Sequence, residues 1–497
     1  MSGMTGVVFP VSDAGGERRS TSALGRSVVA SALRAVDPVG AGAVERETAW
    51  RTAYAGHFKR LLEAGLSSGD AARTSAADGL AALHDRMRVI TADRGEIGLR
   101  ELFDGAPAKP LATATYAGRG EAEREFTLPY RGQRLAGGQL LAQLERWVEA
   151  GVIEPSCAES ISTVMANPDW LALPGRTIAV LGAGAEMGPV HSLLRWGCDV
   201  AAVDLPRPAV WTRLLDLAER YAGRLHLPVP AGTTEADPAV AGADLLHDLP
   251  AVAAWLEQFT DLTLGNYVYA DGATNVRVSV AVDALTERLR SLRSDLSLAF
   301  LATPTDVFAV PPDAVAQAER AYGEASALRL LRSPLRIVSA GRLLRRNYAP
   351  VGERLRDPSG AAEPGVCDSI VTQQGPNYAL AKRLQRWRAA VARSAGTPVS
   401  FTVAPPTRTR SVLKNRALAA AYAGAHIFGV EVFEPATANT LMAGLLVHDL
   451  HRPLKPQAHV WQEEAFNAAH GGLWRAAYAP RSALGLAALL GWGAARP

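Results

Sequence analysis

From about residue 171 onward, short apolar runs alternate with stretches whose apolar positions recur at helical spacing. Runs 177–181, 200–203, 224–229, 262–269, 296–303, 335–339 and the stretch opening at Pro398 read as strands. Helical patterns fill the gaps, with Met187, Val190, His191 and Leu194 in phase, then 244–259, 275–292, 313–331 and 374–387. Strands that alternate with helices of this length predict an α/β fold, a Rossmann-like doubly wound parallel sheet over residues 171–497 with a C-terminal substrate-side segment.

Residues 1–170 lack that alternation and predict a mainly helical N-terminal region. Residues 1–45, rich in Gly, Ser, Ala and Arg, read as a mobile lead-in, 49–103 as helical, and 104–130, with several prolines and glycines, as a connector. Leu140, Leu141, Leu144, Trp147 and Val148 mark one amphipathic helix. A second starts after Pro155 and buries Ile161, Val164 and Met165.

Composition narrows the function classes more than it alters the fold. A chain of 497 residues with 48% hydrophobic and 20% charged content has the make-up of a globular protein of two domains or one enlarged domain. A net charge of +3 gives no case for nucleic acid or an anionic membrane as partner, which leaves a small-molecule substrate as the expectation. Cys157, Cys198 and Cys367 are odd in number and far apart, so a disulfide framework is not expected and a reducing cytoplasm is. No metal site is expected: His448 and His451, which flank Asp449, lack further ligands and read as a helix end.

The densest chemistry lies in 176–206. Gly182, Ala183, Gly184, Met187 and Gly188 follow the first strand, where small residues let a phosphate approach the backbone and a helix start would favour it. Asp204 stands about twenty residues beyond the glycines, where a carboxylate bonds a ribose 2′-hydroxyl; this favours NAD over NADP, with Arg207 near enough to leave NADP open.

The second stretch is 374–387, in which Tyr378 and Lys382 are four apart and share a helix face. An ammonium beside a phenol favours the phenolate, which lowers the tyrosine pKa and suits it to proton transfer with a carbonyl or alcohol oxygen. The strand after it runs into Ala404, Pro405, Pro406 and Thr407. With these elements in this order, residues 171–450 resemble the short-chain dehydrogenase/reductase (SDR) superfamily, as an atypical and enlarged member. The resemblance implies an NAD(P)-dependent oxidoreductase interconverting a carbonyl and a secondary alcohol, in which Tyr378 is the acid/base and Lys382 holds the ribose and lowers the tyrosine pKa. It implies cofactor contacts at the glycine turn, Asp204, Pro405 and Thr407, and a homo-oligomer. It also implies a serine and an asparagine, for which Ser339 and Asn275 are the candidates. Thr303 and Thr305 are rivals for the hydroxyl, Ser369 follows no evident strand, and Asn275 is equally a candidate helix cap.

Ser339 requires an insertion over 342–367 to account for its distance from Tyr378. Leu181, Glu186 and Pro406 depart from the family pattern, and the Glu186 carboxylate would repel a pyrophosphate unless it turns outward. Arg408, Arg410, Lys414 and Arg416 form a basic cluster that reads as a solvated face or a grip on an acidic substrate. Trp461, His470 and Trp474 are candidates to close a pocket. Two other functions fit the same elements: epimerisation or dehydration on a related fold, and non-catalytic dinucleotide binding.

Overall fold

In a computed structural model, which describes residues 5–12, 18–105, 109–324, 326–349 and 363–493, the apolar runs assemble into a seven-stranded sheet. Its strands are β1 (Leu111–Ala117), β2 (Thr177–Leu181), β3 (Asp199–Val203), β4 (Arg224–Pro230), β5 (Leu262–Asn266), β6 (Ser297–Ala302) and β7 (Val399–Val403), in spatial order β7-β6-β5-β2-β3-β4-β1. All neighbours are parallel except β1, which pairs antiparallel with β4. Counted from β2, the six parallel strands stand in the order 3-2-1-4-5-6, the doubly wound arrangement expected for a dinucleotide-binding fold, and the direction of winding reverses between β2 and β5.

The sheet separates two cores, and the period of two in its strands divides residues between them. Ala179 and Leu181 of β2 face a core shared with the N-terminal helices, and Ile178 and Val180 face the other. Every position of β2 and β5 is buried, as in parallel strands covered on both faces.

Several expectations change. Residues 335–339 form no strand: they lie at the end of helix Ser326–Val338 and the turn after it, and β7 takes the sheet position beside β6. A short apolar run does not by itself separate strand from helix, and Ile337 and Val338 are exposed, as no central strand residue would be. The connector 104–130 supplies β1, whose alternating threonines in LATATYA suit an edge strand. The lead-in is folded where described, with helices Thr21–Arg34 and Pro38–Glu45 burying Val28, Val29, Leu33 and Val44. Of the insertion expected over 342–367, residues 350–362 lie outside the described residues.

Helix Gly375–Ser394, which carries Tyr378 and Lys382, is fixed by buried ion pairs. Arg383 and Arg386 both reach Asp306, at 3.1 and 2.6 Å, and Arg386 also meets Glu464 at 2.7 Å. Arg388 pairs with Asp283 at 2.7 Å and Arg393 with Glu463 at 2.8 Å. The partners come from the loop after β6, from helix Gly272–Leu292 and from helix Val460–Ala465, so the register of the helix is set from three directions. No described helix is long and apolar enough to cross a membrane.

Candidate functional site

The carboxyl ends of β2, β3, β5, β6 and β7 open into one cavity of about 890 Å³ at the point where the winding reverses. Clefts at such a switch point are the usual ligand sites of doubly wound sheets. Gly182, Gly184, Met187, Asp204, Asn275, Tyr378, Lys382, Pro405 and Thr407 all line it. Gly188 sits just behind the wall, its N–H bonded to Ala185 O at 3.0 Å. Ser339 is not brought there: it lies in the turn after helix Ser326–Val338, where its hydroxyl accepts from Leu343 N–H at 3.1 Å.

On the β2 side, Gly182 has φ +80°, a conformation that only glycine adopts without strain, and a Cβ there would come within 3.0 Å of Tyr267 O. At Gly184 a Cβ would meet Arg213, Val210 and Asp204. The Asp204 carboxylate accepts from Gly184 N–H and Leu205 N–H, each at 2.8 Å, and so shapes the turn as well as lining the cavity. The helix after the turn begins later than its pattern predicts, at Val190, and is six residues long. Backbone amides rather than a long helix dipole therefore face the cavity, and among the described residues the N–H groups of Glu186 and Met187 have no acceptor. Glu186 lines the cavity and is turned toward Arg410, its two oxygens accepting from Arg410 N–H at 2.8 Å and Nε at 2.7 Å, so the carboxylate stands there paired with a guanidinium.

The opposite wall carries the polar side chains. Thr303 directly follows β6, and its hydroxyl lies 2.8 Å from that of Thr305, which donates to Gln374 Oε1 at 2.9 Å. Burial pushes the Tyr378 phenol up, and the neighbouring Thr303 hydroxyl opposes that shift in part. This reverses the lowering expected from Lys382. Lys382 is itself depressed to about 8 by burial, and its Nζ donates to Leu301 O and Gln385 Oε1, each at 3.2 Å. Desolvation is the largest influence on both groups, and the Lys382 Nζ bonds Leu301 O and Gln385 and not the phenol. Tyr269 packs edge-on against Tyr378 with ring centroids 6.4 Å apart.

Asn275 is not a helix cap. It lies within helix Gly272–Leu292, whose cap position is Asp271, and its Oδ1 accepts from Ala270 N–H at 3.2 Å. Sequence reasoning passed over Asn266, the last residue of β5, which is buried on the cavity wall with an Oδ1 that has no partner among the described residues. An amide side chain at the carboxyl end of a buried strand was the available clue. An orphaned acceptor of this kind is costly unless a ligand or water meets it.

No protein-family model and no curated protein sequence matches the chain. Among solved structures, an A1-type ketoreductase aligns with 14% identity and a TM-score of 0.31, covering 56% of this chain and 46% of that one. A-type ketoreductases from a modular polyketide synthase align with 15% identity and a TM-score of 0.30 over the same shares. The aligned part spans less than half the length of either ketoreductase.

The remaining sequence candidates lie elsewhere or play other parts. His448 bonds Asp449 at 3.0 Å and His451 stacks on Trp170, and no group of metal-ligating side chains occurs among the described residues. His470 and Trp474 are fully buried against each other, and with Trp461 they stand outside the cavity wall. Of the basic cluster, Arg410 is at the cavity and Arg408 pairs with Glu434. Ser369 does follow a strand, Gly365–Asp368, but is bonded to Cys367 away from the cavity.

Proposed function

We propose that the chain is an NAD(P)-dependent oxidoreductase that interconverts a carbonyl and a secondary alcohol. The observation that carries the reading is the meeting, in one switch-point cavity, of the glycine turn, Asp204 and the Thr303, Tyr378 and Lys382 side chains. The free amides of Glu186 and Met187 suit a pyrophosphate, Asp204 suits a ribose hydroxyl, and Asn266 Oδ1 offers an acceptor deep in the same space. A nicotinamide cofactor held there supplies or removes the hydride.

The chain's own contribution is to the proton. Tyr378, protonated at neutral pH as any phenol is and raised further by burial, is ready to donate to a carbonyl oxygen, and Thr303 is the hydroxyl beside it in the place first assigned to Ser339. Gln374, through Thr305, orients Thr303. Lys382 contributes an ammonium that a ribose hydroxyl meets, with Leu301 O and Gln385 holding it in place. Asp204 favours the free 2′-hydroxyl of NAD, while Arg207 and Arg213 on the same wall leave NADP open.

The test pairs binding with turnover. Tyr378→Phe is expected to retain cofactor binding and to lose about 10²–10⁴-fold in carbonyl reduction. Undiminished turnover removes Tyr378 from the proton step, and absence of NADH and NADPH binding by fluorescence overturns the reading altogether. Asp204→Ala is expected to weaken NADH more than NADPH, and the opposite order refutes the NAD preference.

A further inference from the structure

Beside the main cavity lies a second, smaller one of about 70 Å³. The two share Pro406 and Tyr422 as walls, and Thr305, whose hydroxyl touches that of Thr303, lines the smaller one. Apart from Ser369, Tyr478 and Arg481 the rest of its lining is aliphatic and aromatic, with Val371 and Ile370 on one side and Phe428, Ala483 and Leu484 on the other. The Tyr422 phenol is raised by burial and by the charge that Tyr378 would carry, which sets Tyr422 within electrostatic reach of the proposed proton donor.

The far side is built rigidly. Helices Arg416–Gly424 and Pro480–Gly491 cross so closely that a Cβ on Gly424 would fall 2.1 Å from Ala487 O, and one on Gly491 2.1 Å from Ala420 O. Helices locked at glycine contacts cannot settle inward to fill a neighbouring gap, so the space is preformed. It holds room for more than one water-sized group, and although Thr305, Ser369, Tyr478 and Arg481 stand on its wall, most of its lining is apolar, which favours carbon over water.

Resting on the oxidoreductase reading, we propose that this side pocket receives an apolar substituent of the substrate, a short aliphatic chain or a single ring on the carbonyl carbon, while the carbonyl oxygen faces Tyr378 and Thr303. The substrate class is then a ketone with one small apolar arm, as opposed to a sugar or a carbonyl bearing charge on both sides. Each methylene moved from water into such a pocket is worth about four-fold in affinity until the pocket is full.

A series of 2-alkanones of increasing length, with a hydroxylated ketone as polar control, tests this by calorimetric binding to the full chain carrying NAD(H) and by cofactor turnover. Affinity is expected to climb about four-fold per methylene over the first few carbons and then level off. Ala483→Leu, which fills the pocket, is expected to flatten the series without altering cofactor affinity. Phe428→Ala, which enlarges it, is expected to move the plateau to longer chains, a change of opposite sign that misfolding does not produce. A flat series in the unaltered protein, or identical series in all three proteins, overturns the pocket. Ketones that bind with this profile but are never reduced refute the oxidoreductase reading and leave the pocket standing. Reduction with a flat profile does the reverse.

Discussion

Replacing Asp306 by Asn tests the buried framework under Tyr378. Asp306 is 2% exposed and faces Arg383 and Arg386. Burial alone would raise its carboxyl, but the two guanidinium groups carry it below the usual carboxylate range. Arg386 keeps Glu464 after the change, whereas Arg383 has no other carboxylate partner among the described residues, so one buried guanidinium is left uncompensated. Breaking a buried pair from one side destabilises by about 3–5 kcal/mol, and the lower end is expected because Asn still accepts a hydrogen bond. The comparison is Glu45→Gln, whose partner Arg34 is 62% exposed and whose loss is expected to stay within about 0.5 kcal/mol. Urea unfolding followed by circular dichroism measures both. A depressed carboxyl stabilises the fold above its unfolded value of 3.8 and ceases to as pH falls through the folded one, so the gap between wild type and Asp306→Asn is expected to be full at pH 7 and to shrink below pH 4. The double variant Arg383→Met with Asp306→Leu is expected to recover much of the loss. Equal effects of Asp306→Asn and Glu45→Gln at neutral pH refute the framework.

Lys382, depressed to about 8, is about half protonated at pH 8, and a ligand that accepts from Nζ raises it. Cofactor binding is therefore expected to take up about half a proton at pH 8 and almost none at pH 6.5. Calorimetry in buffers of different ionisation enthalpy reads this, and uptake that persists in Lys382→Met assigns it to another group. Arg410→Ala releases the Glu186 carboxylate from its salt bridge, and cofactor affinity is expected to fall while thermal stability, given a partner that is 66% exposed, hardly changes. Unchanged affinity shows that Glu186 does not face the phosphates even when free.

The parts of the fold that could be read in advance are those whose patterns have one solution. A five-residue run such as Thr177–Leu181, apolar after its opening threonine and followed by glycine, is a buried parallel strand in any arrangement that covers both faces. The run at 335–339 holds Leu335, Ile337 and Val338 around Arg336, yet the place beside β6 is filled by β7, and competition between strands is invisible within either run. Helix lengths suffered for the same reason: Val190–Arg195 is cut to six residues by turns after Gly182 that only its left-handed φ reveals.

The site divides along a related line. Tyr378 and Lys382 were readable because their relation is local, one helix face at a spacing of four, and so was Asp204, fixed by its place after a strand. Which hydroxyl meets Tyr378 depends on the contact between the end of β6 and a helix that starts more than seventy residues later, and Thr303 and Ser339 are equivalent until that contact is known. The protonation of the pair also lay beyond spacing. Proximity predicts a lowered tyrosine, but the helix that brings the two groups together is buried from Ala379 over most of its length and held by Arg383, Arg386, Arg388 and Arg393, and the desolvation of Tyr378 and Lys382 at the cavity wall sets the direction of both shifts. Placing Tyr378 accurately and raising its phenol are thus two results of one cause. A ligand that brings hydrogen-bond donors to the phenol oxygen alters the second without disturbing the first.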